Sequence, residues 1–293
     1  MTSELHAEQA SSAITPPITG YSVLVLTFNE SANIERCLDS LRECDDVVVL
    51  DSFSTDGTGE CVKARPVRLF QRTFDTFAGQ RNWAIDSVPF KHRWVLHVDA
   101  DECMTPRLHE ELLAAAARDD SSAYLLANKL IFMDRWIRHA SMYPHYQARF
   151  LRLGEARFVQ TGHGQTLDHT ARGVGTIKEP YLHYNFSKGI SDWLGRHNRY
   201  SSDEARRIVS RSMPWGKSLV NAFLGASRQD RQQARKRLAD SLPAKPLWRF
   251  LYLYFARLGF LDGSPGFHYC VLMAIYDYLI AIKSKELRSR GRT

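Results

Sequence analysis

No two cysteines in this chain are spaced Cys-x-x-Cys, and their number is odd: Cys37, Cys44, Cys61, Cys103 and Cys270. That is a reduced, cytoplasmic pattern rather than a disulfide framework. Cys37 and Cys61 fall on apolar helical positions and read as core residues. No apolar run reaches the ~18–20 residues of a membrane span. The nearest, Phe267 to Ile282, is broken by Asp277. A secretory signal is also missing; residues 1–19 are polar, contain Pro16-Pro17 and read as a disordered lead-in. Neither an internal repeat nor a low-complexity tract is present.

With 293 residues the chain can bury a large core, as one sizeable domain or a domain with an appendage. The net charge of +7 is uneven. Arg and Lys dominate from Arg196 onward, and most acidic clusters precede Asp120. A basic C-terminal third suits an anionic surface, whether lipid head groups, a phosphorylated acceptor or nucleic acid; it serves equally as a solubilising face. No nucleic-acid-binding module is recognised, so nucleic acid is not an expected partner.

Short β-branched runs alternate with helical patterns. Ser22 to Thr27, Val47 to Leu50, Val67 to Phe70 and Arg93 to Val98 read as buried strands. Between the first two, Ile34, Cys37, Leu38 and Leu41 form a helical stripe, with Asn29 or Ser31 as its cap. Thr58 to Lys63 is a short helix. In Phe77 to Asp86 the stripe is Phe77, Arg81, Ala84 and Ile85. Thr105-Pro106 opens another helix with a cap and a first-turn proline. Four alternations predict an α/β fold, a mostly parallel sheet with helices on both faces and ligands at the C-terminal strand ends. After Ser122 come Ala123 to Ala127, Ala148 to Leu153 and Tyr181 to Tyr184 as shorter strands, then a helix from Ser187 to about Arg211. From Lys217 onward the chain reads as helical. The expected division is a lead-in over 1–19, a catalytic domain over 20–212 and a helical, basic-aromatic region over 213–293.

Polar clusters stand where three of the strands end: Thr27-Phe28-Asn29-Glu30, Asp51 to Thr58, and Asp99-Ala100-Asp101-Glu102. Two carboxylates one residue apart at a strand mouth can grip a divalent cation, and hard oxygen ligands point to Mg2+ or Mn2+ bridging to phosphate. Asp51 can accept from a base imide N–H. Asp56-Gly57-Thr58 reads as a turn into a helix, capped by Asp56 or Thr55. Gln80-Arg81-Asn82 precedes the fourth strand; Arg81, on a buried stripe, needs a partner such as a diphosphate or Asp51. His163 lies in the glycine-flanked Gly162-His163-Gly164-Gln165, and His183 ends a later strand, where it could complete metal coordination or touch phosphate. Of Arg149 and Arg152, one should face the site and the other solvent. Arg196, His197, Arg199 and Tyr200 form a basic-aromatic face that could hold an acceptor phosphate. Leu247 to Phe260, rich in aromatics with Arg249 and Arg257 interspersed, suits either a lipid interface or a packed helical subdomain.

These motifs, in this order from about Tyr21 to Thr105, resemble the family-2 glycosyltransferases of GT-A fold. Asn29 to Ile34, His183-Tyr184 and Arg199-Tyr200-Ser201 are similar to the lipopolysaccharide-core β-glucosyltransferase-like branch. The resemblance implies inverting, metal-dependent sugar transfer from a nucleotide-sugar, usually UDP-linked. It places Thr27, Asn29 and Glu30 at the nucleoside, Asp51 at the base, and Arg81, with the neighbouring Gln80, at the base or diphosphate. Asp99 approaches ribose or donor sugar, and Asp101 holds the metal, with Asp99 and His183 as further ligands. Arg149, Arg152, Arg196 and Arg199 would meet acceptor or phosphate. The chain departs from the pattern at the general base: Gln165 stands where relatives often carry a carboxylate. His163, Asp168 and Glu102 remain as candidates. The expected acceptor is lipid-linked or of lipopolysaccharide or exopolysaccharide type. The enzyme would sit in the cytoplasm, peripheral at the inner face of the membrane through its C-terminal third. Competing readings are a nucleotidyltransferase, which lacks a glycine- and basic-rich triphosphate loop here, and a non-catalytic nucleotide-sugar or glycan-binding protein.

Overall fold

The computed structural model describes residues 20–161, 164–210 and 244–290. The expected lead-in over 1–19 and the expected boundary at 212 lie outside the described residues.

The four expected strands form, as β1 (Ser22–Thr27), β2 (Val47–Asp51), β3 (Arg68–Gln71) and β4 (Trp94–Asp99). All five residues of β2 are buried, as a strand covered on both sheet faces must be. Helices α1 (Ile34–Ser40), α2 (Thr58–Lys63), α3 (Phe77–Ser87) and α4 (Pro106–Arg118) connect or follow them. The minor strand β5 is Glu102–Cys103. Then come β6 (Ala123–Phe132), β7 (Arg135–Trp136), β8 (Tyr146–Arg152), β9 (Ala156–Thr161), β10 (Gly164–Thr170), β11 (Val174–Thr176) and β12 (Tyr181–His183). The chain continues through α5 (Gly189–Ser210), α6 (Lys245–Leu251), a π-helical turn (Tyr252–Ala256), a 3-10 turn (Gly259–Asp262) and α7 (Gly263–Arg290).

The main sheet runs β3-β2-β1-β4-β8-β6-β12-β5, with β7 and β11 also paired to β6. β3, β2, β1 and β4 are parallel, and so is the β6–β12 pair. β8 is inserted antiparallel between β4 and β6. This is the mostly parallel, helix-flanked sheet that the alternation predicts. Register sets the site: Thr27 lies opposite Asp51, and Leu26 opposite Asp99. The ends of β1, β2 and β4 are therefore level at one edge.

Local capping differs in part from expectation. Thr105 Oγ1 accepts from Leu108 N at 3.2 Å, with Pro106 in the first turn, as read. Asn33, and neither Asn29 nor Ser31, takes the cap position of the first helix, without a side-chain capping bond; its amide donates to Glu30 Oε2 at 2.6 Å. Gly57, at φ 92°, takes the cap position of α2, while Asp56 Oδ1 accepts from Thr58 N at 3.1 Å. That backbone geometry favours glycine, so the carboxylate acts from one residue earlier. Phe77 is exposed rather than on the inner stripe of α3; Ala78, Gln80, Arg81 and Ala84 are buried.

One apolar cluster on each face flanks the β1–β4 half of the sheet, around Val23, Val25 and Trp94 on one side and Leu24, Val48 and Val95 on the other. A further cluster joins the C-terminal helices to the rest: Leu253, Cys270 and Leu272 pack with Leu130, Phe132, Ile137 and Trp193. Asp262, buried, accepts from the backbone N–H groups of Arg138, His139 and Ala140. From Gly259 to Arg290 the chain holds an 18-residue window of mean hydropathy 1.3, apolar and long enough to cross a membrane. That revises the expectation that no segment here reaches such a length. Asp277, read as an interruption, is turned inward and buried.

Candidate active site

The three polar clusters meet at the level edge of β1, β2 and β4. Asp51 is fully buried; its carboxylate accepts from Ser54 N at 3.0 Å, Gln71 Nε2 at 3.1 Å and the Ser54 hydroxyl. Asn29 joins the first loop to the second: its backbone N–H donates to Ser54 Oγ at 2.8 Å, and its Oδ1 accepts from Thr55 N at 2.8 Å. Asn29 (φ 53°) and Phe53 (φ 61°) hold left-handed backbone, which costs on the order of 1 kcal/mol or more per residue. Strain at two points of one loop pair marks a surface held for a purpose. Phe28 and Phe53 leave their rings exposed beside it. Thr27 Oγ1 is buried without a hydrogen-bond partner.

Asp99 is held from two directions. Arg81 Nη2, from α3, donates to Oδ1 at 2.6 Å, and Arg149 Nη2, from β8, donates to Oδ2 at 2.9 Å. Both guanidiniums are buried. Burial opposes the Asp99 charge, yet Arg149 and Arg81 hold its carboxyl well below the usual carboxylate range. Arg81 thus finds its partner in Asp99, not in Asp51 or an exposed diphosphate position. Arg149 also donates to Glu102 Oε1 at 2.6 Å, while Glu102 Oε2 accepts from Asp99 N at 2.9 Å. Burial pushes the Glu102 carboxyl up, to about 7, against the pull of Arg149. With both oxygens hydrogen-bonded and only 3% of its surface exposed, Glu102 supports Arg149 and Asp99 from below.

Asp101 faces His183, with Oδ2 and Nε2 3.4 Å apart. The pairing of β12 with β5 sets His183 opposite Glu102, and Tyr184 N donates to Asp101 O at 2.8 Å. His183 Nδ1 lies 3.2 Å from Asn128 Nδ2. A ring nitrogen that accepts from that amide leaves Nε2 as the N–H donor to Asp101. Burial raises the Asp101 carboxyl, but His183 outweighs it and the net shift is downward. Among the described residues no group of three or more His, Cys, Asp or Glu side chains could hold a metal ion. Asp99, with both oxygens committed to arginines, does not complete such a set. Hard divalent ions are commonly bound by one or two carboxylates plus substrate phosphates. Asp101 offers one carboxylate, and His183 would offer a ring nitrogen only once Nε2 gives up the proton it shares with Asp101.

Glu30 stands across the crevice. Lys188, from the turn before α5, donates to Glu30 Oε1 at 2.6 Å and to Asn29 O at 3.1 Å. Burial raises the Glu30 carboxyl overall, although Lys188 and Asn33 pull the other way. Sequence reasoning missed Lys188; a lone lysine 158 positions away carries no local signal. Asn128, 55 positions from His183, was missed for the same reason.

The remaining expected site residues divide. Gln80 is buried, and its Nε2 donates to Thr73 O at 3.1 Å and Arg72 O at 3.3 Å, so it ties the turn after β3 to α3. Arg196 borders the crevice beyond Asp101, held by Asp192 at 2.9 Å and by Asn185. Arg199 is exposed on α5. Arg152 lies opposite Trp94, at the start of β4, and pairs with Asp119 and Glu155. It belongs to the far end of the sheet and not to an acceptor or phosphate site. His163 lies outside the described residues, between the paired Thr161 and Gly164. That end of the β9–β10 hairpin is near the start of α3, where Ala78 N donates to Gln160 Oε1. Asp168 is exposed beyond the Leu167–Phe158 pair, toward Thr170 and Ala156. There the hairpin approaches the end of α3 through Arg157 and Asp86, away from the strand-end crevice.

A crevice at the C-terminal ends of parallel strands, lined by spaced aspartates, is the setting for phosphate-ester ligands in open α/β sheets. The family model for glycosyl transferase family 2 matches residues 22–172, half of the chain, and spans every strand-end cluster described. The chain belongs to that family; it is a glycosyltransferase, and its sheet is the GT-A arrangement. It is similar to an uncharacterized glycosyltransferase of Rickettsia bellii, 25% identical over 91% of this chain and 86% of that protein. It is also similar to the lipopolysaccharide core biosynthesis glycosyltransferase LpsC of Rhizobium meliloti, 24% identical over 89% and 90% respectively. Among solved structures, S. aureus TarS 1–349 in complex with UDP aligns with a TM-score of 0.45 at 16% identity, covering 92% of this chain and 91% of TarS 1–349.

Proposed function

We propose that this glycosyltransferase moves a hexose from a UDP-linked donor, with inversion and with Mn2+ or Mg2+, onto a lipid-linked or lipopolysaccharide-type acceptor at the cytoplasmic face of the membrane. One observation carries the reading: Asp51, Asp99 and the Asp101–His183 pair stand at one level edge of the sheet, each fixed by its own partners.

Asp51 is an acceptor-only group at the strand end; the imide N–H of uracil would replace the Ser54 or Gln71 donor now on its buried carboxylate. Thr27, Asn29 and Glu30 form the opposite wall of the nucleoside pocket. Asp99, its carboxylate fixed by two arginines, is presented toward ribose and donor sugar as a rigid acceptor. Asp101 and His183 would hold the cation together with the diphosphate; when bound, it supplies positive charge against the charge developing on the leaving group. The His183 imidazole shifts the preference from Mg2+ toward Mn2+. Deprotonation of the acceptor hydroxyl falls to His163, since Glu102 is buried beneath Asp99 and Asp168 lies toward the other end of its hairpin. Arg196 is placed for an acceptor phosphate. The name of the LpsC relative supports an acceptor of lipopolysaccharide type.

The test is nucleoside diphosphate release from a panel of nucleotide-sugars, with Mn2+, with Mg2+ or with chelator, and with or without bacterial lipid extract. The expected result is release from one UDP-sugar, faster with Mn2+, abolished by chelator and raised by the extract. Asp101→Ala should remove metal-dependent release while leaving the melting temperature within a few degrees. Full activity in that variant, or metal-independent release by the parent chain, would overturn the metal assignment.

A further inference from the structure

α7 is apolar on two opposite faces. Its inner face, with Gly266, Cys270, Met273, Asp277, Ile280 and Ser284 at helical spacing, packs against α5 and α6. Its outer face carries Phe267, Val271, Ile275, Tyr278 and Ile282, again at helical spacing. Four of these five are among the exposed large apolar side chains. A surface helix of a water-facing protein turns polar residues outward; one apolar all round needs a second apolar environment. The outer stripe runs uncharged for about 22 Å at 1.5 Å per residue.

The same surface continues onto the preceding segment. Exposed Phe255, Phe260 and Phe267 all ring Tyr254, at 5.1, 6.2 and 5.8 Å. Trp248, 56% exposed, and Tyr252 lie on the same helical stripe as Phe255. A contiguous apolar patch of this kind marks an interaction site.

Charge identifies the partner. Residues 244–290 hold seven Lys and Arg against three acids. Two of the three acids are turned inward: Asp262 accepts from the backbone at 138–140, and Asp277 lies 3.6 Å from Lys245 and 4.0 Å from Arg249. Glu286, the third, pairs with Arg290 at 2.6 Å. Lys245 and Arg249 face Asp277 and Lys283 faces α5, so the outward surface is aromatic and aliphatic, with its basic border at Lys285 and Arg288, which follow directly on the stripe. Apolar rings with cationic edges match a bilayer interface rich in anionic head groups.

We propose that the outer face of α7, with Trp248, Tyr252 and Phe255, is a docking surface for an anionic lipid bilayer, on which α7 lies in the plane of the interface. It does not span, because its inner face is committed to protein through buried Asp277 and through Lys283, which donates to Asn198 O at 2.6 Å and Ser201 Oγ at 2.8 Å. The inference deepens the reading of a lipid-linked acceptor and rests on it for its purpose. α5, whose first turns border the crevice, packs on α7, so one helix layer separates the lipid surface from the acceptor side.

The full chain is to be sedimented with vesicles of phosphatidylcholine alone or with one quarter phosphatidylglycerol. Binding is expected to the anionic vesicles, weakened by salt, and reduced about tenfold or more in Phe255→Ser/Ile275→Ser/Tyr278→Ser, since interfacial affinity scales with buried apolar area. Donor turnover without vesicles is expected to be unchanged in that variant. Should the variant unfold, quenching of Trp248 fluorescence in the parent chain by brominated acyl chains, lost in Trp248→Phe, reports the same contact. Absence of sedimentation and of quenching overturns the proposal. So does a parent chain that dimerises through this face, seen as a dimer that the triple variant dissociates. Vesicle binding without turnover of any donor would leave the surface standing and remove the glycosyl-transfer reading.

Discussion

At Asp99 a single carboxylate is shared by two buried guanidiniums, one of which also holds Glu102. Removing one charged partner from such a buried network costs about 3–5 kcal/mol, because the remaining charges stay desolvated. Arg149→Met should therefore lower stability by about that amount in chemical denaturation. Adding Glu102→Gln should restore part of it, since Asp99 keeps Arg81 and the carboxylate left without a cation is then neutral, while the acceptor for Asp99 N remains. Equal stability of the single and double variants would show that the network does not act as a unit. Asp56 gives a pH-dependent case. Partial burial raises its carboxyl, but hydrogen bonds from Thr58 and Ser31 dominate and hold it down to about 2. A depressed acid stabilises the fold above its unfolded value of about 4, and that contribution is lost as pH falls through the folded value. The melting-temperature gap between the parent chain and Asp56→Ala should be full at pH 7 and close between about pH 4 and pH 2. A gap independent of pH would contradict the assignment.

At the scale of elements, β1 to β4 and the Thr105-Pro106 cap were legible because each is written locally, in β-branched runs and one capping pair. The partner of Arg81 was not. Asp99 lies 18 positions away on a different element, and Arg149 reaches it from 50 positions away on an antiparallel strand inserted among parallel ones. Alternation alone carries no sign of that insertion. It decides which of Arg149 and Arg152 faces the site, since reversing β8 sets Arg152 at the start of β4 and Arg149 near its end. The three strand-end clusters were legible as one crevice; that both Asp99 oxygens are held by arginines was not. The β9–β10 hairpin tests the general base. His163→Ala should cut turnover by about two orders of magnitude or more, within the usual range for a general base, with donor affinity little changed. Asp168→Ala should be near neutral. The reverse ranking, read from kcat and from donor titration, would move the base to Asp168.

For the whole molecule, the C-terminal helices are continuous with the catalytic unit through a shared apolar cluster and through Asp262, rather than appended to it. The Lys188 bridge is a tie within the catalytic unit: it joins Asn29 and Glu30, the proposed nucleoside wall, to the segment that opens α5. Such a tie makes the order of binding a property of the architecture. A donor settling against Glu30 braces the start of α5 before an acceptor arrives, so the two substrates should add in compulsory sequence, donor first. In steady-state kinetics UDP should then compete with the donor but not with the acceptor. Lys188→Met should loosen that order toward random addition, with an inert acceptor analogue changing from uncompetitive to non-competitive against the donor as the sign that the tie has been cut.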